Sequence, residues 1–414
     1  MQAVVIDKPY TFIPPRHSRF WHWVMRRILP RYLRKNDGIA AVECIGVEKL
    51  NASLDAGHGI MIVGNHCRPC DPMILDFLAA EVKRPFHVIA SWHVFMTSKI
   101  QRFILPRMGG FSVYREGMDR ESLKCAIKTV ADGKFPLVIF AEGIITRCND
   151  RMVNFMEGPA FMARAAAKQR KEGKTVIHPV FIRYFFEGNL EQSITPVIES
   201  IERRFSWQPQ VQLPLRERIR KIGGALLDLK EIEYFQSPQP GNFRQRLARL
   251  IDHLLTPMED RWTPGRHDGD TMARVKRMRS AILPDMVNSQ LTEEDRASRW
   301  RQLADVYLVQ QLHCYPGDYI ENPTPERILE TVERYDEDLN DIARPHFPIR
   351  AVITVGDAIE VGTGRERSQE VDPITTEIRQ RMEELLESTK GCRKVDPGGL
   401  EGLSQGTESK EECK

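Results

Sequence analysis

The sequence predicts an α/β fold: a mixed, largely buried sheet flanked by helices and interrupted by a helical insertion. Three observations carry this. Apolar, β-branched runs recur at 60–64, 86–90, 136–141, 176–184 and 349–355, and they are continuous rather than alternating. Continuous runs are what strands covered on both faces require. Segments of helical length fall between most of them, the alternation expected of a layered sheet. The long stretch 191–345 is rich in Arg, Leu, Glu and Gln with helical patterning, and strand character returns only after it.

Taken in order, residues 1–40 form a basic amphipathic N-terminal segment. Between Arg16 and Lys35 there are seven basic residues and no acidic one, interleaved with Phe20, Trp21, Trp23, Ile28, Leu29 and Tyr32. Trp and Arg suit the headgroup layer, so 16–35 reads as an interfacial helix on an anionic membrane surface; a solvated helix with one buried face is the plainer alternative. Pro30 marks its kink or its end. Residues 41–190 hold the main strands. A helix over 72–82 follows Asp71 and Pro72, which suit an N-cap and a first helical position. Helices over 119–132 and 159–172 stop at Gly133 and Gly173. The insertion, 191–345, carries helices at 216–232, 242–256, 271–287, 292–312 and 325–342. Residues 346–388 close the core with a strand and an amphipathic helix over 375–387, where Ile378, Met382, Leu385 and Leu386 share one face. The Gly-, Glu- and Lys-rich stretch 389–414 reads as a disordered tail.

Bulk properties exclude several classes. The chain has 414 residues and a net charge of +3, so no global nucleic-acid footprint exists. Its eight cysteines are irregularly spaced, which points to reduced thiols in a cytosolic compartment rather than a disulfide scaffold. Pro9, Pro14 and Pro15 stand where a secretion signal needs an apolar core, and no run approaches the ~20 apolar residues that span a bilayer. The expected location is cytoplasmic and peripheral, on the inner face of the membrane.

The chemistry concentrates at Asn65-His66-Cys67-Arg68-Pro69-Cys70-Asp71-Pro72, directly after a buried strand. One turn can bring a His and an Asp five positions apart together. The Asp then holds the imidazole in one tautomer, and the free nitrogen serves as general base for a hydroxyl. The spacing is not unique: His313 and Asp318 repeat it inside the helical stretch, after no strand. Cys67 and Cys70 form the only C-x-x-C, and no second pair supplies four zinc ligands, so no metal is expected.

Three further blocks follow in order: Gly109 to Arg115, then Phe140-Ala141-Glu142-Gly143 with Arg147 after it, then Val176-Ile177-His178-Pro179-Val180. Here the sequence resembles the glycerolipid acyltransferase family, whose best-known members acylate glycerol-3-phosphate and lysophosphatidic acid. The resemblance covers roughly 40–190, with 349–387 similar to the family's closing strand and helix. It implies a fold like that of glycerol-phosphate acyltransferases. It implies that His66 is the base and Asp71 its partner, that Arg115 holds the acceptor's phosphate, and that Glu142 and Gly143 bind the acceptor's hydroxyls. Pro179 would shape the wall near the acyl thioester. The donor would be acyl-CoA or acyl-carrier protein, with no cofactor, no metal and no acyl-enzyme.

The chain departs from the family pattern at Arg68, where a Ser is common, at Ala141, and at Ile144 and Ile145, where a Thr and a basic residue are common. Arg147 would take the missing basic role, as readily as it would be a solvated charge. The expected reaction is acyl transfer to a glycerophospholipid precursor, 1-acylglycerol-3-phosphate first. The alternatives are a different lyso-lipid acceptor, such as a lyso-ornithine lipid, and a non-catalytic lipid-binding protein.

Overall fold

Strands that are apolar at every position need cover on both sides, and the computed structural model, which describes residues 8–288, 290–364 and 371–394, supplies it. The chain begins with α1 (Arg19–Asp37), β1 (Ile39–Ile45), α2 (Val47–Asp55) and β2 (Gly59–Gly64). Then come α3 (Asp71–Glu81), β3 (His87–Ser91), α4 (Trp92–Met96), α5 (Lys99–Arg107) and β4 (Gly110–Val113). Next are α6 (Arg120–Asp132), β5 (Leu137–Phe140), α7 (Gly158–Gln169) and β6 (Thr175–Phe186). The helical stretch holds α8 (Leu190–Arg204), α9 (Leu215–Phe235), α10 (Phe243–Trp262), α11 (Thr271–Asn288), α12 (Glu293–His313) and α13 (Pro325–Asn340). The chain closes with β7 (Ile349–Val355), β8 (Ile359–Glu360) and α14 (Pro373–Ser388).

The strands form one eight-stranded sheet in the order β1-β7-β6-β2-β5-β3-β4, with β8 on β6. β6 runs antiparallel to β7 and β8, and the other pairings are parallel, so the sheet is mixed as expected. In β2, Ile60 and Ile62 join one apolar cluster while Met61 and Val63 join the other, one on each face. The first face is covered by α1, α3, α8, α9 and α13 through residues such as Leu33, Leu78, Ile198, Ile222 and Val332. The second is covered by α6, α7 and α14 through Val130, Ala163, Ile378 and Met382. Burying each such side chain contributes roughly 1.5–3 kcal/mol. A third cluster, with Leu254, Met278 and Val306, lies among α10, α11 and α12. The stretch expected as one insertion therefore divides: α8, α9 and α13 pack into the α/β core, and α10–α12 build a core of their own.

Several expectations are corrected. β1 has no continuous apolar run because it lies at the end of the sheet and is largely part-exposed. The helix at the N-terminus does not end at Pro30; it runs through to Asp37 because Leu29 and Leu33 are buried beyond the proline's local cost. α7 stops at Gln169, before Gly173, where Arg170 turns extended and donates its guanidinium to the Ala131 carbonyl at 2.7 Å. The first residues of the tail expected from 389 are ordered. Thr389–Cys392 is a 3-10 turn, and the side chains of Arg393 and Lys394 pair with Glu326 and Glu43. The rest of that expected tail lies outside the described residues.

Candidate active site

β2 ends at Gly64, while its neighbour β6 continues to Phe186. The peptide groups of β6 beyond that point still need partners. Side chains provide them. The Asn65 amide accepts from the Ile182 N–H at 2.7 Å and donates to its carbonyl at 2.9 Å. The Asn149 amide does the same for Tyr184, at 2.7 Å each way. The Glu326 carboxylate accepts from the Phe186 N–H at 3.0 Å. Two loops and α13 are thereby pinned to one strand, and both loops carry site residues.

On the first loop, His66 and Asp71 meet. His66 Nδ1 lies 2.8 Å from Asp71 Oδ2, with side-chain exposures of 16% and 0%. The same oxygen accepts from the Arg68 N–H at 2.9 Å. The other oxygen accepts from the Tyr184 hydroxyl at 2.5 Å, not from a helix N–H; Asp71 sits in the first turn of α3 and Cys70 is the N-cap. An ionised Asp71 receiving Nδ1–H fixes the imidazole with its lone pair on Nε2, which has no partner among the described residues. Phe140 stacks on the ring, 4.2 Å between centroids at 21°. Thr146 donates its N–H to the His66 carbonyl at 2.8 Å and closes the second loop over the first.

Glu142 follows β5 and is buried, which pushes its carboxyl well above the ordinary range. Its Oε1 accepts from the His66 N–H at 3.4 Å; its Oε2 has no hydrogen-bond partner among the described residues. Gly143 adopts φ +68°, and a Cβ there would meet the Met156 methyl at 2.6 Å. Its carbonyl accepts from the Arg115 guanidinium. A chain of contacts thus runs from the His66 backbone through Glu142 and Gly143 to the Arg115 guanidinium.

Two expected site residues are placed differently. Arg147, at φ +56°, is ion-paired with Glu337 of α13. Pro179 is buried in β6 opposite Val63, three residues before the level of His66, or about 10 Å along the strand. Its carbonyl accepts from the Gly356 N–H at 2.8 Å. The repeated spacing at His313 and Asp318 builds no such pair: Asp318 instead takes Arg151 at 2.6 Å.

Sequence reasoning missed Tyr184, whose only signal is a hydroxyl in an apolar strand. It places a helix over 325–342 but gives no sign that this helix, α13, lays Glu330, Glu333, Arg334 and Glu337 along the site loops. Glu333 holds both nitrogens of Arg68, at 2.9 and 3.3 Å. Glu330 accepts from the Asn149 N–H at 3.2 Å, and Arg334 donates to the Thr146 carbonyl at 3.1 Å. The space they enclose with Cys67 and Arg147 is about 10 Å³, room for a single water.

Comparison with known proteins gives one finding. No curated protein and no solved structure matches the chain. Residues 41–183 match the Acyltransferase family model, and that match, over the segment that carries His66, Asp71, Arg115 and Glu142, supports an acyltransferase family.

Proposed function

We propose that the protein transfers a fatty-acyl group from a CoA or carrier-protein thioester to a hydroxyl of a glycerophosphate-type acceptor, with 1-acylglycerol-3-phosphate as the acceptor the site suits best. The observation that carries this is the buried Asp71 behind His66, with Nε2 unpartnered and a guanidinium two linked contacts away. Nε2 takes the proton of the acceptor hydroxyl as its oxygen attacks the thioester carbonyl. The new C–O bond forms, the C–S bond breaks, and the imidazolium returns the proton to the departing sulfur. Arg115 holds the phosphate, and Glu142 and Gly143 hold the acceptor near the base. Arg147 serves the wall through Glu337, and Pro179 shapes the sheet behind it.

Of the residues that favour a different lyso-lipid acceptor, Arg68 is held by Glu333 and Ile144 is buried, while Ile145 is half-buried. The lipid substrate reaches the protein at a surface formed by α1 and α5. Phe20, Trp23, Ile100 and Phe103 are exposed there, with Trp21 against Phe103 at 5.4 Å. Arg27 lies over Trp23 and Arg107 over Phe103, and neither helix has an acidic residue before Asp37. Such a basic aromatic face suits an anionic membrane. Among the described residues no helix is long and apolar enough to cross one.

The test is release of thiol from acyl-CoA by the purified chain with 1-acylglycerol-3-phosphate, glycerol-3-phosphate and a lyso-ornithine lipid as competing acceptors. Activity on the first, abolished in His66→Ala, is the expected result. Absence of acyl transfer to any glycerolipid ends the proposal, and saturation by the lyso-ornithine lipid alone replaces its acceptor.

A further inference from the structure

The wall of the site turned toward α11 carries a second guanidinium. Arg279 is buried and ion-paired with Glu116, the residue that follows Arg115. Arg115 donates to the Gly143 carbonyl and, among the described residues, pairs with no carboxylate. Burial, and after it the charge of Arg279, bring Arg115 down to about 10. Nearby His93, whose Nδ1 is 2.8 Å from the Ser91 hydroxyl, is pushed down to about 4 by burial and by these two guanidiniums, so it adds no charge at neutral pH. Two positive charges therefore stand against one carboxylate, with the Arg279–Glu116 pair buried and Arg115 half-buried. An uncompensated buried cation is costly unless an anion meets it. A phosphate monoester brings up to two negative charges and enough oxygens to fit two planar forks at once.

We propose that Arg279 is the second guanidinium of the acceptor's phosphate subsite, gripping beside Arg115 the same phosphate monoester. This rests on the role proposed for Arg115 above. It gives the α10–α12 body a share in acceptor choice: Arg279 is the residue through which that body reaches the acceptor. The competing account is that Arg279 and Glu116 are only a strut fastening α11 to the segment after β4. The two accounts part at Glu116. In a strut both partners matter alike. In a phosphate subsite Glu116 competes with the ligand for Arg279.

The experiment is steady-state kinetics of the full chain with acyl-CoA, varying 1-acylglycerol-3-phosphate or glycerol-3-phosphate, for Arg279→Gln, Arg279→Lys and Glu116→Gln, with thermal melts to show that each folds. Arg279→Gln is expected to raise the acceptor KM about ten- to a hundredfold, the loss carried by KM rather than kcat. Arg279→Lys recovers part of it, because the charge remains and the fork is lost. Glu116→Gln is expected not to raise KM, and to lower it if the competition is strong. An effect on both acceptors assigns the subsite to the phosphate ester itself; an effect on 1-acylglycerol-3-phosphate alone assigns it to the lipid headgroup as presented. Equal rises in KM for Arg279→Gln and Glu116→Gln overturn the inference in favour of the strut, and a KM within twofold in Arg279→Gln overturns it outright, while the role of Arg115 stands. If the unaltered protein acylates neither acceptor, that role falls and this inference with it.

Discussion

Replacing Asp71 by Asn probes the site at its most buried point. The carboxylate accepts three hydrogen bonds, from His66 Nδ1 at 2.8 Å, the Arg68 N–H at 2.9 Å and the Tyr184 hydroxyl at 2.5 Å. An amide offers one oxygen and one NH₂, so it cannot repeat this pattern. If the NH₂ faces His66, Nδ1 must accept, the ring proton moves to Nε2, and the base is gone. Loss of the correct tautomer costs about 10⁴-fold in a His–Asp pair. That orientation also leaves the Arg68 N–H without an acceptor, about 1–3 kcal/mol of stability. If the NH₂ faces Tyr184 instead, the tautomer survives but the negative charge that stabilises the imidazolium is lost. A hydrogen bond to a charged group is worth roughly 1.5–3 kcal/mol, so the rate still falls about ten- to a hundredfold. The expected kcat for Asp71→Asn therefore lies between about ten- and 10⁴-fold below the unaltered enzyme, with the fold retained. The assay is thiol release at saturating acyl-CoA and 1-acylglycerol-3-phosphate, with circular dichroism as the control for folding. A folded Asp71→Asn protein within threefold of full activity would refute the His66–Asp71 mechanism.

Two other expectations concern stability. Glu333→Ala leaves the Arg68 guanidinium without its paired acceptor in a largely closed space, both side chains being about 15% exposed; the expected loss is about 3 kcal/mol by urea unfolding. A loss under 0.5 kcal/mol would show that α13 does not brace the loop. The second follows from the row of rings in which His17 lies 3.2 Å from both His22 and His87. Burial holds His17 down to about 3 and His87 to about 4, from an ordinary 6.5. The unfolded chain therefore binds more protons than the folded one between about pH 6.5 and 4, and stability falls as the pH falls through that window. At pH 5 the loss is about 1–2 kcal/mol for each ring after allowance for solvent screening. The melting temperature is expected to drop from pH 7 to pH 5, and less so in His17→Asn; a flat profile across that interval is the contrary result.

The sequence alone determined the fold class, five of the eight strands and most of the helices, because periodicity and caps are local. Asp119 and Gly133 bound α6 where their residue types say they must. It also determined the order of the site blocks, which keep their chemistry wherever the chain takes them. What it could not decide was which equal signals are real. His66–Asp71 and His313–Asp318 have the same spacing, and only the first sits where a strand ends beside a longer one, so that Asn65, Tyr184 and the Arg68 N–H converge on it. Partners brought from far along the chain were equally illegible: Glu333 on Arg68, Glu337 on Arg147 and Arg279 on Glu116 are separated from them by more than 150 residues. β1 carried no strand signal because a half-exposed edge needs no continuous apolar run. Local chemistry sets what a segment can become, but desolvation and ion pairing act only between groups that the finished sheet and α13 have placed together.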